Sequence, residues 1–303
     1  MTYEVYLKFK DKEMSLEAFL KLFSGRNNCR ADGERVIYEN ADTGVGFYFE
    51  YMHEDNKGES NVRSDGVYRV ALCVEYCQPN FFFVEALYEI YDLVQHEDIV
   101  VYDPQIGGTL GGGAFDDKKL FNNWKDCNLD AVQEYMMSLG PEMNDVPVMP
   151  TSALKVMWKW NYDIGHLREM LDEKMQIPTI QIVEFGGEDL TAVIWKEGAS
   201  IAIPYVDVII FARRKGGAET SSDNDQDYEF CAIDYEEVKP LIKKYSKRNF
   251  ANSFLLEYDK TPKEIEAFIA ELDPEVKFMP MDMCDVLEYE VAEEALFSDA
   301  GKS

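Results

Sequence analysis

The order of local patterns in the first hundred residues constrains this chain more than any other feature. TYEVYLKF (2–9) puts Tyr3, Val5, Leu7 and Phe9 at every second position, the pattern of a half-buried strand. SLEAFLKLF (15–23) opens on Ser15 as N-cap and carries Leu16, Phe19, Leu20 and Phe23 at helical spacing. VGFYFEYM (45–52) and VYRVALCVEY (67–76) read as strands joined by a polar hairpin, and IVVYD (99–103) as another strand. Between them FFFVEALYEIYDLV (81–94) reads as a helix. Its stripe Phe83, Leu87, Ile90 and Val94 faces a core, while Glu85, Glu89 and Asp92 face water. The order β-α-β-β-α-β predicts a ferredoxin-like split βαβ domain, with an antiparallel sheet and both helices on one face.

A helical pair is expected over 117–126 and 129–139, stopped by Gly140-Pro141. GPEMNDVPVMPTS, with three prolines, reads as a linker. The expected division is a domain over 1–140, a linker over 141–152 and a second, strand-rich α+β domain over 153–303. ALKVMWKWNYD suits either a strand or a helix. Strands follow in TIQIVEF, LTAVIWKE, SIAIPYVDVIIFARR, YEFCAI, SFLLEY, VKFMPM and VLEYE. DYEEVKPLIKKY (234–245) is a helix that Pro240 tightens or kinks. TPKEIEAFIAEL (261–272) is a helix with a capping box between Thr261 and Glu264 and Pro262 at its first turn.

Charge excludes whole classes of partner. The chain has 58 acidic against 30 basic residues, a formal net charge of −28. That sign opposes binding to nucleic acid or an anionic membrane, both of which rely on Lys and Arg. It favours solubility and a basic partner steered in at long range. No apolar run approaches the roughly 18 residues of a membrane span. The first residues run straight into the alternating strand and offer no signal-peptide pattern. Six scattered cysteines lack any CxxC spacing, and Cys73 and Cys77 are too far apart along one strand to bridge. A cytoplasmic location is therefore expected.

Signatures of chemistry are weak. IVVYDPQIGGTLGGGAFDD (99–117) has Gly107 and Gly112 at GxxxxG spacing, but Gly113 and Ala114 stand where Lys and Ser/Thr would hold phosphates. Asp116 and Asp117 follow and would repel an anion. A glycine-rich surface loop is the better reading, and no nucleotide or other cofactor is expected. His53 lies in the acidic turn HED, where three consecutive residues rarely converge on one ion. His96 sits where a helix end favours positive charge, and His166 with Glu169 suits a solvated helix face. Trp158 and Trp160 read as core. There is no GxSxG and no Ser-x-x-Lys. In GGAETSSDNDQDYEF (216–230), Asp223, Asp225 and Asp227 alternate as in a calcium loop. Tyr228, however, replaces the required Gly, and Asp234 stands where Glu belongs. With Glu219 and Glu229 the stretch reads as a solvated acidic loop or a docking element for a basic partner.

In IVVYDPQ after the βαββα unit, and in DVIIFARRK with SFLLEYDKTPKEIEAFI, the chain resembles immunity proteins of bacterial polymorphic-toxin and contact-secretion systems. The resemblance implies a non-enzymatic inhibitor that binds a cognate toxin effector directly and presents carboxylates to a basic surface. The partner-binding candidates are Glu219, Asp223, Asp225, Asp227 and Glu229, with Asp116 and Asp117. The alternatives are a hydrolase using carboxylate or metal chemistry, and an acidic DNA mimic that inhibits a nuclease.

Overall fold

A computed structural model describes residues 1–10, 14–53, 62–63, 66–105, 108–110, 115–215, 228–250, 252–274 and 277–297. The chain divides into two units. One is Met1–Thr151 joined by the segment that begins at Met283, and the other is Ser152–Asp282. Both mix helices and sheets, an α+β fold.

The first unit is built on β1 (Thr2–Phe9), β2 (Cys29–Asp32), β3 (Arg35–Asn40) and β4 (Val45–Tyr51). A short hairpin of β5 (Val62–Arg63) and β6 (Gly66–Val67) precedes β7 (Val70–Glu75), β8 (Ile99–Asp103) and β9 (Gly108–Leu110). One sheet runs β2-β3-β4-β7-β1-β8-β9, with every neighbouring pair antiparallel. The four strands expected from sequence stand in the order 45–51, 70–75, 2–9, 99–103, the ferredoxin-like arrangement, and three further strands widen it. α1 (Leu16–Phe23) and α2 (Asn80–His96) pack on the same face. Phe23 meets Phe49 at 4.6 Å between ring centres, and Phe83 meets Tyr3 at 5.3 Å.

Several expectations are corrected here. The hairpin β2–β3 was not foreseen, because Arg30, Asp32, Glu34 and Arg35 dilute its alternation. The glycine-rich loop contributes Gly108–Leu110 as an edge strand, while 106–107 and 111–114 lie outside the described residues. The expected helical pair is one helix, α3 (Asp117–Leu139), since nothing in Cys127-Asn128-Leu129 breaks the hydrogen-bond ladder. The expected linker is structured: Gly140–Asp145 forms a 3-10 turn, and β10 (Val148–Met149) pairs in parallel with Leu287–Glu288. The last residues, assigned by sequence to the second domain, belong to the first unit. VLEYE gives only a two-residue strand before turning helical, with Leu287, Ala292 and Ala295 packed on Val132 and Met136 of α3.

In the second unit α4 (Thr151–Tyr162) settles ALKVMWKWNYD as helix, and α5 (Ile164–Met170) follows. Trp158 and Trp160 are buried, with Trp160 Nε1 donating to the Pro178 carbonyl at 2.8 Å. The strands are β11 (Gln181–Phe185), β12 (Glu188–Lys196), β13 (Ile201–Pro204), β14 (Val208–Arg214), β15 (Tyr228–Asp234), β16 (Arg248–Phe250), β17 (Ser253–Leu256) and β18 (Phe278–Met281). They form a mixed sheet β15-β14-β12-β11-β18, with β12 and β14 parallel, and a three-stranded sheet β13-β17-β16. SIAIPYVDVIIFARR is thus two strands in two sheets, divided after Pro204. α6 (Tyr235–Tyr245) keeps Pro240 inside it, and α7 (Lys263–Glu271) starts from Pro262 without a side-chain cap. The expected capping box does not form. Thr261 donates instead to the Gly198 carbonyl at 3.2 Å, and Glu264 is drawn to Lys244 and to the Tyr245 hydroxyl at 2.7 Å. In the first unit, β19 (Leu287–Glu288) and α8 (Tyr289–Phe297) complete the chain.

Candidate functional site

Of the carboxylates singled out by sequence, Glu219, Asp223, Asp225 and Asp227 lie outside the described residues. The others have local roles. Asp116 caps α3 by accepting from the Lys119 N–H at 2.9 Å, and Asp117 accepts from the Lys118 N–H at 2.9 Å, where a helix start favours negative charge. Glu229 on β15 pairs with Arg213 at 2.5 Å, and the same guanidinium donates to the carbonyls of Ile269 and Ala270. Asp116 and Asp117 belong to the first unit and Glu229 to the second. Glu85, expected in water, is buried, accepting from the Tyr38 hydroxyl at 2.8 Å and from Asn40 Nδ2 at 3.1 Å. Glu89 and Asp92 share Arg26, at 3.0 and 2.7 Å. Burial pushes the Glu89 carboxyl above its ordinary range despite that pair.

The first unit's sheet has two unlike faces. Tyr3, Val5, Leu7, Phe49, Leu72 and Val74 point to the helices and are wholly buried. On the other face Tyr6, Tyr68, Ala71, Cys73, Val100 and Tyr102 form a small cluster. The Tyr68 ring meets that of Tyr102 at 5.5 Å, and Lys8 lies over Tyr68. Towards β3 and β4 this face opens into a groove of about 530 Å³ that includes Ile37, Glu39, Gly46, Tyr48, Cys73 and Glu75 and runs on past the strand ends to Gln78, Phe82 and Cys284.

Strand register arranges the groove in rows. Glu39 stands opposite Gly46, and Glu75 lies one pleat along from Cys73, which is opposite Tyr48. Glu39, Gly46 and Glu75 therefore make a row, with the two carboxylate-bearing strands roughly 10 Å apart. Ile37, Tyr48 and Cys73 make the next row, and Arg35 with Glu50 the one after. In that third row Arg35 pairs with Glu50 at 2.8 Å and lies over the Tyr48 ring at 4.6 Å. Arg30 reaches Glu39 from β2 and donates to both of its carboxylate oxygens, at 3.2 and 3.3 Å, with both side chains more than half exposed. On β2, β3, β4 and β7 this face carries Asp32, Glu39, Glu50 and Glu75 against Arg30 and Arg35.

The groove floor is uncharged at neutral pH. Burial pushes the Cys73 thiol up to about 12 and the Tyr48 hydroxyl up to about 12. Chemistry there would need a different group, since a protonated buried thiol is a poor nucleophile. The groove has a neutral, partly aromatic floor, and of the carboxylates at its rim Glu39 and Glu50 are paired with Arg30 and Arg35.

Two more buried carboxylates are occupied by the fold. Asp103 accepts from the Tyr3 hydroxyl at 2.5 Å, from Asn123 Nδ2 at 3.1 Å and from the Gln105 N–H at 3.0 Å. Glu288 accepts from the N–H of Asn80 at 2.9 Å and from its side chain, at the start of α2. The histidines are placed structurally: His53 meets Glu34 at 2.8 Å, His96 the Asp92 carbonyl at 2.8 Å, and His166 lies 3.8 Å from Glu169. All six cysteines are free thiols. Among the described residues no group of three His, Cys, Asp or Glu is placed to hold a metal, and no helix is long and apolar enough to cross a membrane.

Comparison of the chain with protein families, with curated proteins and with solved structures finds no match. Sequence reasoning did not find the groove. Its one local signal is a glycine inside the strand pattern VGFYFEY, which marks a bulge or a close approach to the backbone.

Proposed function

We propose that the protein binds a basic partner protein and acts as the immunity-type inhibitor that its sequence resembles, occupying a cognate toxin effector. The observation that carries this reading is the acid-rimmed groove of about 530 Å³ on the open face of the first unit's sheet. A chain of net charge −28 supports it, because such a field raises encounter rates with a cationic surface and rejects anionic ones. A neutral floor with a tyrosine and an isoleucine suits the less charged centre of a protein interface, and the carboxylates suit its rim.

The test is affinity capture of the native protein followed by co-expression. The reading expects a stoichiometric basic protein that arrests growth when expressed alone and is harmless with this chain. Its association should slow steeply as salt shortens the Debye length from about 10 Å at 0.1 M to about 3 Å at 1 M. A captured partner that is acidic or neutral, or one whose toxicity this chain leaves intact, would refute the proposal.

A further inference from the structure

The segment that re-enters the first unit at Met283 runs between two cavities of that unit. One is the groove of about 530 Å³, which ends at Gln78, Phe82 and Cys284. The other, of about 500 Å³, has Cys77, Tyr135, Leu139, Val146 and Asp285 in its lining. Gln78 and Cys284 line both, so this pair is the wall that divides them. Beyond the wall the chain is firmly set. Val286 and Leu287 are buried, the Leu287 N–H donates to the Pro147 carbonyl at 3.0 Å, and Glu288 holds Asn80. At the wall itself Cys284 and Asp285 are exposed.

Two observations point to a wall that can move. The first is how it rests. Met283 is half-buried, and its Cβ lies 3.1 Å from where a Cβ on Gly44 would stand, so the segment sits against bare backbone at the β3–β4 turn. The short helical turn Met283–Asp285 carries an N–H···O bond from Val286 to Met283 of 3.4 Å, longer than a good hydrogen bond. The second is Gln78, whose side-chain oxygen is buried and, among the described residues, meets no donor. A buried acceptor without a donor destabilises the state that holds it. The β7–α2 turn cannot readily move to relieve it, because Asn128 accepts from the Cys77 N–H at 2.8 Å and donates to the Gln78 carbonyl at 3.0 Å. Relief falls to the other half of the wall.

We propose that Met283–Asp285 is a strap, hinged at Val286, that lifts away from Gly44 and joins the two cavities into one longer groove. Closed, the strap keeps the contact of Met283 with the β3–β4 turn and leaves the Gln78 oxygen buried without a donor. Open, it gives up that contact and lets the oxygen meet a donor. The two terms oppose each other, as a switch between two positions requires. The strap sets the length of the groove whatever the partner's charge, and so lies beyond the reading of that partner as basic.

The test labels the full chain with a bulky maleimide at neutral pH and maps each cysteine by mass spectrometry. Cys77 lines the second cavity and reports the strap, whereas Cys73 is buried in the sheet and reports unfolding. Met283→Ala removes the side chain that holds the strap, and Gly44→Ala places a methyl group under it. The expected result is labelling of Cys77 about tenfold faster in Met283→Ala and also faster in Gly44→Ala, with Cys73 slow in all three chains. In the native chain, labelling of Cys77 should be insensitive to urea well below the unfolding midpoint, because lifting a strap exposes little surface. Equal Cys77 rates in the native chain and both variants would overturn the strap. So would a native Cys77 rate that climbs with urea in step with that of Cys73, since access would then come only from unfolding. If Cys73 quickens in a variant, that chain has unfolded and the native urea series decides.

Discussion

The two faces of the first unit's sheet are made from the same strands yet obey different rules. On the helix side alternate residues are Tyr3, Val5, Leu7, Phe47, Phe49, Leu72 and Val74, all buried. On the other side the same strands offer Glu4, Gly46, Tyr48, Glu50, Cys73 and Glu75, several of them open to water. A face that only had to stay wet would favour β-branched polar residues such as threonine. This one spends a strand position on glycine and sets carboxylates beside it. The contrast teaches that the helix-side face is core along its length, whereas the other is core around Tyr6, Ala71, Cys73, Val100 and Tyr102 and opens to water towards β3 and β4.

The sharpest way to break the comparison is to remove a ring from the packed face. Phe83 is fully buried, stacked on Trp124 at 4.9 Å and edge-on to Tyr3. Phe83→Ala should cost about 3–5 kcal/mol in urea denaturation, because the cavity cannot close between two fixed rings. Ile37→Ala on the open face should cost less than about 1.5 kcal/mol, since Ile37 is only half-buried. Similar losses at both positions would mean the open face is core after all.

Asp103 comes next. It is fully buried against the Tyr3 hydroxyl and gathers three hydrogen bonds. Burial pushes the Tyr3 hydroxyl well above its ordinary range, with the hydrogen bond to Asp103 adding to the shift, so Tyr3 remains a donor at any working pH. Asp103→Ala strands that donor and Asn123, and the expected loss is about 3 kcal/mol in the same denaturation experiment. A loss below about 1 kcal/mol would show that water reaches these groups.

What could be read from sequence, and what could not, follows the same division. The strands at 2–9, 45–51, 70–75 and 99–103 and the two helices between them were legible, because each carries its own period over a short window. The inward turn of Glu85 was not, because Tyr38 and Asn40 sit on a hairpin too charged to recognise. Nor was the return of the last helix to the first unit, which depends on Glu288 reaching Asn80 across 208 positions. The row of Glu39, Gly46 and Glu75 is a matter of register between strands, and no local pattern encodes that.

Glu288 also gives a pH test of a carboxylate held by the fold. Burial raises its carboxyl above the ordinary value, although the Asn80 hydrogen bonds pull the other way. An unfolded Glu titrates near about 4.3. The folded chain therefore binds the proton more tightly, so this contribution to stability is complete below about 4.3 and is lost as pH rises through the raised value. Glu288→Gln cannot titrate. The stability of the native chain minus that of Glu288→Gln should fall as pH rises from about 4, measured by urea denaturation at several pH values. A difference that rises over that range would reverse the sign and refute the burial argument.

The smallest effect is the most discriminating, because it compares two glycines two positions apart. Gly44 closes the turn between β3 and β4 with φ of +72°, and a Cβ there would lie 3.1 Å from the Cβ of Met283. Alanine at 44 must adopt a left-handed backbone and crowd a neighbour, so Gly44→Ala should cost about 1–2 kcal/mol. Gly46 has neither constraint. Valine there regains strand preference and reduces the entropy of the unfolded chain, so Gly46→Val should gain about 0.5–1 kcal/mol. Opposite signs in parallel urea titrations would separate a glycine required by the turn from one whose presence lowers stability. If Gly46→Val is instead the less stable chain, the exposed face at β4 has no room for a β-branched side chain and the glycine serves packing.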